Sequence, residues 1–121
     1  MKEMIYSDKR KDEILEQGCY KGYKYVILNL GTHPTAYVEN KLHVDSYADD
    51  KLTDIDVHGG FTYLGQRLFR CGDATEYIGW DYAHWDDFCG FAPEVGGKRW
   101  TTEEIQKDVF MVIDQLAEQQ A

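Results

Sequence analysis

Two short stretches of the chain concentrate side chains that can do chemistry. The first carries Asp54, Asp56, His58, Gly59, Gly60 and Thr62; the second carries Trp80, Asp81, His84, Trp85, Asp86 and Asp87. Laid side by side on two strands, they would offer two histidines and up to five carboxylates. Asp56, His58, Asp81, His84 and Asp87 are the residue types a divalent metal takes, because imidazole nitrogen suits Zn, Mn, Fe or Ni and carboxylate neutralises charge. Three such ligands and an open position would make a hydrolytic centre. His84 and Asp87 are spaced so that one helical turn points both the same way. No HExxH pattern accompanies them.

The same residues support two metal-free chemistries. His58 or His84, paired with Asp56 or Asp81, has the makings of a general base. Neither stretch holds a serine, and Cys89 lies further along, so a Ser or Cys triad has little support. As a ligand cradle, the set would be His58, Gly59, Gly60, Thr62, Trp80, Asp81, His84, Trp85 and Asp87. The glycine pair allows close backbone approach to an anion. Tyr63, Trp80, Tyr82 and Trp85 would stack on a planar base, and Arg67, Arg70, Lys98 and Arg99 would neutralise phosphate. Such binding requires no cofactor. Against all of these stands a plain structural role, since Asp and His at strand ends commonly hydrogen-bond turns.

The elements that must position these residues read as follows. Residues 7–17 suggest a short helix, capped by Ser7 or Asp8 and stopped by Gly18. Residues 23–30 are dense in β-branched and aromatic side chains and too short for a free-standing helix, so they predict a strand. Gly31 and Pro34 mark a turn, with residues 35–39 returning as a hairpin arm. Residues 41–51 are polar and predict a surface loop. Residues 54–58 alternate with period two, predicting a strand with Ile55 and Val57 on one side and Asp54, Asp56 and His58 on the other. Further strands are expected over 61–64 and 76–82, and a loop over 85–99. The clearest helix begins at Thr101, whose capping-box partner is Glu104. Ile105, Val109, Val112, Ile113 and Leu116 give it one apolar face. The expected architecture is a single α+β domain over 1–121, with its core in about 23–119. It has an antiparallel sheet of four to five strands, a short N-terminal helix and a longer C-terminal helix packed on one face.

Composition narrows the function classes. A chain of 121 residues with 43% hydrophobic and 14% aromatic residues can bury one core. Acidic residues outnumber basic ones 22 to 13, for a net charge of −9. That disfavours direct contact with nucleic-acid phosphates and favours basic partners. The three cysteines, Cys19, Cys71 and Cys89, make neither a disulfide framework nor a metal knuckle. No stretch approaches the roughly 18 apolar residues of a membrane span. Residues 1–12 are charged and lack the apolar core of a signal peptide, so a cytoplasmic location is expected.

Residues 54–63 (Asp-Ile-Asp-Val-His-Gly-Gly-Phe-Thr-Tyr) resemble the DVHGGLTY segment of a family of small phage and prophage proteins. Residues 79–87 are similar to that family's GFDCAHxGD segment, and residues 99–119 to its closing RTxEYVxxECxxLAEQL helix. Tyr25, Val26 and the Leu30 to His33 turn echo its opening strand. The resemblance covers about 23–119 and keeps order and spacing. It implies His58, Gly59, Gly60, Thr62, Asp81, His84 and Asp87 as the site. The family's Phe-Asp-Cys is Trp80, Asp81 and Tyr82 here, its Gly before the last Asp is Asp86, and its GYV is Ala36, Tyr37 and Val38. The missing cysteine argues against a thiol mechanism at that spot.

The family has no assigned reaction, but small phage proteins of this kind frequently antagonise host defence, an analogy that sets only an expectation. The resemblance implies a phage-type accessory protein in the cytoplasm of a bacterial host, countering a defence by sequestering a small nucleotide-like ligand. The alternatives are an acidic inhibitor of a host defence protein, using Asp45, Asp49, Asp50, Asp86 and Asp87, and a metal-dependent hydrolase using the His/Asp cluster. Enclosing a ligand with so short a chain calls for a symmetric homo-oligomer, though no coiled-coil pattern marks one.

Overall fold

The computed structural model of the chain describes residues 13–46, 49–65, 75–83, 87, 89 and 96–120. Five strands, β1 (Glu13–Tyr20), β2 (Tyr23–Asn29), β3 (Pro34–Glu39), β4 (Tyr63–Gly65) and β5 (Tyr77–Asp81), form one sheet in the order β1-β2-β3-β5-β4. Every pairing is antiparallel. A short helix, α1 (Asp50–Thr53), follows β3, and a long one, α2 (Thr102–Gln120), closes the chain against the sheet. The molecule is therefore α+β, with the class, strand number and C-terminal helix expected.

Turn chemistry sets the sheet. Tyr20 pairs with Tyr23 across Lys21 (φ 51°) and Gly22 (φ 83°), two left-handed residues that match the twist of a two-residue hairpin. At the next turn the Asn29 side chain accepts from the Gly31 N–H at 2.7 Å. Alternation along the strands then divides the sheet into two apolar faces. Tyr25, Ile27, Ala36, Val38, Ile78 and Trp80 face α2, which answers with Ile105, Val109, Val112, Ile113 and Leu116, each at most 1% exposed. Val26, Leu28, Tyr37 and Tyr77 form a second cluster on the other face. The capping box is built as expected: the Glu104 N–H donates to Thr101 Oγ1 at 3.2 Å, and the Thr101 N–H donates to Glu104 Oε1 at 3.1 Å.

Three local expectations are corrected. The part of 7–17 that is described, from Glu13 on, is edge strand and not helix. Pairing with β2 overrides a weak helical pattern there, and Gly18 is not a stop. It lies opposite Tyr25, where a Cβ would come within 3.0 Å of the tyrosine hydroxyl oxygen, so the ring covers the glycine. The short helix of the fold is instead Asp50–Thr53, which begins at the end of the stretch read as a loop and is capped by the Asp49 carboxylate. Residues 54–58 do not join the sheet either. The Gln115 side chain on α2 takes both backbone groups of Asp56, accepting from its N–H at 2.7 Å and donating to its carbonyl at 2.9 Å. The segment runs along α2 and delivers His58 to the helix side of the sheet. No helix among the described residues is long and apolar enough to cross a membrane.

Candidate functional site

The site begins where β5 ends. Strand alternation sends Trp80 and Tyr82 to the helix side and Asp81 to the opposite side. Trp80 Nε1–H donates to the Tyr82 hydroxyl at 3.0 Å, and that hydroxyl donates to Asp108 Oδ2 on α2 at 2.7 Å. One phenol thus links sheet to helix. Burial, with Asp108 and Asp87 nearby, pushes its pKa far above the ordinary tyrosine value, so it remains a donor.

His58 lies on this platform. Its ring stacks on Tyr82 (centroids 4.5 Å apart, planes 15° apart) and meets Trp100 edge-on at 4.9 Å. His58 Nε2 sits 2.8 and 3.0 Å from the two carboxylate oxygens of Asp87, and Trp100 Nε1–H donates to Asp87 Oδ1 at 2.9 Å. The Asp87 side chain is 1% exposed and that of His58 is 24%. A buried carboxylate thus anchors two rings, the His58 imidazole at Nε2 and the Trp100 indole through Nε1–H. Lys98, bridged to Asp87 through the backbone, lays its ammonium 3.9 Å above the Trp100 ring and 3.0 Å from Glu104 Oε2.

Beside the stacked rings opens a cleft of about 180 Å³, lined by Asp56, Val57, His58, Trp100, Asp108, Met111 and Val112. Val57, Met111 and Val112 give it apolar surface, His58 and Trp100 aromatic surface, and Asp56 and Asp108 carboxylates; Met111 is 53% exposed. Among the described residues no lysine, arginine, serine, threonine or cysteine lines it.

The sequence-predicted residues are divided by this arrangement. His58 and Asp87 come together. Gly59 (φ 71°) and Gly60 (φ 83°) make the turn after His58, closed by Gly60 N–H to the Val57 carbonyl at 3.1 Å. Asp81 serves the opposite face of β5: Thr62 Oγ1–H donates to it at 3.3 Å and the Ala83 N–H at 3.2 Å. Thr62 and Asp81 thus tie a strand end. Trp80 is corrected as a stacking residue, because it is 1% exposed and its N–H is spent on Tyr82. Asp87 is likewise removed from the acidic surface by burial, whereas Asp45 and Asp50 are exposed and Asp49 caps α1. Pairing of His58 with Asp56 or Asp81 is replaced by pairing with Asp87. Among the described residues no three His, Cys, Asp or Glu side chains converge on a common point. Cys89 is buried, and burial followed by the charges of Asp87 and Asp81 raises its pKa, which keeps the thiol protonated. His84, Trp85, Asp86, Arg67, Arg70 and Cys71 lie outside the described residues.

Trp100, Asp108 and Met111 were not singled out from the sequence. A signal existed for the first two. Trp100 directly precedes the N-cap, a position whose side chain commonly packs back on the helix. Asp108 lies three residues after Ile105 and four before Val112, at the border of the apolar stripe. No protein-family model matches the chain, nor does any curated protein or solved structure.

Proposed function

We propose that this is a phage-type accessory protein that counters a bacterial defence by binding, and that it takes a small nucleotide-like ligand base-first into the cleft beside His58. The observation that carries the reading is the cleft itself: a slot with aromatic and apolar surface and two carboxylates, whose rings are held in place by a buried Asp87. Preorganised rings cost little to order on binding, which favours capture. A volume of about 180 Å³ holds one ring system and falls below the roughly 300 Å³ of a pocket that encloses a whole ligand. The sugar and phosphate would therefore lie outside, on the side where Lys98 crosses Trp100 and Arg99 is exposed.

Binding is favoured over catalysis because the reactive groups are committed. Both Asp87 oxygens face His58, one of them also accepts from Trp100, and the described cleft wall lacks a nucleophile. The setting would be the host cytoplasm, with neither membrane nor direct nucleic-acid contact, and no cofactor is required. A symmetric homo-oligomer would cover the part of the ligand that the cleft leaves outside.

Native mass spectrometry tests this, with the protein measured before and after mixing with extract of defence-activated bacteria. A discrete increment of nucleotide size, lost in Trp100→Ala, is the expected result. A metal-sized increment removed by a chelator would move the reading to a hydrolase. A protein-sized increment whose affinity falls steeply with salt would move it to an acidic inhibitor.

A further inference from the structure

The cleft's polar groups are of one kind. Asp108 Oδ2 accepts from Tyr82, and among the described residues its Oδ1 has no partner. The backbone of Asp56 is held by Gln115, while its carboxylate pairs with no described residue. The Trp100 N–H in the described wall is turned towards Asp87, as is His58 Nε2. The slot therefore offers acceptors and negative charge between apolar walls, with no basic side chain among the described residues that line it.

Resting on the nucleotide-capture reading, we propose that the cleft selects bases that present an exocyclic amine, as adenine or cytosine does, and rejects those that present a carbonyl at the same place, as hypoxanthine or uracil does. An amine directed at Asp108 forms a charge-assisted hydrogen bond. A carbonyl oxygen there faces a carboxylate lone pair with no proton between them. Hydrogen bonds to charged groups set the scale of discrimination at roughly tenfold to a hundredfold in affinity.

Asp108→Asn isolates this rule. The introduced side-chain amide would still accept from the Tyr82 hydroxyl through its carbonyl oxygen, which would turn its N–H₂ towards the cleft as a donor. Calorimetric titration with adenosine and inosine monophosphates reads the result. The wild-type protein should prefer the 6-amino nucleotide about tenfold or more, and Asp108→Asn should abolish or invert that preference. Asp56→Asn, at an exposed position, should narrow it without touching the core and stands in if Asp108→Asn does not fold. Equal affinities in the wild type, or a preference unchanged in both variants, would overturn the selection rule and leave nucleotide capture standing. Failure of both nucleotides to bind the wild type would overturn the capture reading as well.

Discussion

The imidazole of His58 and the carboxylate of Asp87 meet across 29 residues of chain, Nε2 lying 2.8 Å from one oxygen and 3.0 Å from the other. The contact ties the loop before β4 to the segment before α2, and its anchor is almost wholly buried. A buried carboxylate is stabilising only while its partners remain; taking it away strands the His58 and Trp100 N–H groups. Asp87→Ala is expected to cost about 3–5 kcal/mol, whereas Asp87→Asn, which keeps an acceptor for one of the two, should cost less. Thermal denaturation followed by near-UV circular dichroism ranks the two. Equal Tm values for wild type and Asp87→Ala would show that the contact carries no stability.

Tyr82 accepts from Trp80 and donates to Asp108 through one hydroxyl. Tyr82→Phe keeps the ring under His58 but leaves the buried Trp80 N–H without an acceptor, at about 1–3 kcal/mol. Burial also raises the pKa of Tyr23 and Tyr25, but that of Tyr82 is held highest, so phenolate absorbance of the wild type should show a last component that ionises only when alkali unfolds the protein. That delayed component should vanish in Tyr82→Phe.

Glu104 both closes the helix cap and pairs with Lys98. The Lys98 ammonium first, then the Thr101 N–H, hold its carboxyl below the ordinary 4.5. A folded-state pKa below the unfolded value adds stability that is complete above the unfolded pKa and is lost as pH falls through the folded one. Glu104→Gln should therefore melt lower than wild type at pH near 7, with the gap closing as pH falls through the lowered pKa of Glu104. A gap that widens on acidification would contradict the assignment. Thr101→Ala, which removes the cap acceptor, should cost about 1 kcal/mol.

Gly79 lies between Tyr37 and Tyr63 in register, and those two rings meet edge-on at 5.0 Å. A Cβ there would press into the Tyr37 ring and stand 2.7 Å from the Ala36 carbonyl oxygen. Gly79→Ala is expected to destabilise by about 1–3 kcal/mol through overpacking. The crowding arises on the face away from the cleft, so nucleotide affinity should hold below the melting temperature. Chemical denaturation and titration of the same variant separate the two effects.

Where a pattern is both local and strongly periodic, the chain is legible. The β2 strand, its return as β3, the β5 strand and the capped α2 helix follow from alternation, turn residues and the Thr101–Glu104 box. Legibility failed where a long-range partner decides the conformation. Glu13 to Gln17 take strand form because β2 offers a ladder, and residues 54–58 leave the sheet because Gln115, 59 residues away, occupies the backbone of Asp56. The site shows the same division. Residue type marked His58 and Asp87, but laying the two stretches side by side also placed Asp81 with them, and the structure turns it to the other face. Trp100 and Asp108 reach the site from the end of the chain, which no spacing within the two histidine-bearing stretches could indicate.

The central claim, that a base enters beside His58 and Trp100, is tested most directly by two-dimensional NMR of the nitrogen-labelled protein during titration with adenosine monophosphate. The account predicts that the Trp100 indole N–H and the amides of Val57, His58 and Val112 shift first and saturate together, with the Trp80 indole unmoved. Shifts confined to Thr62, Asp81 and Ala83, or no shifts at all, would contradict it.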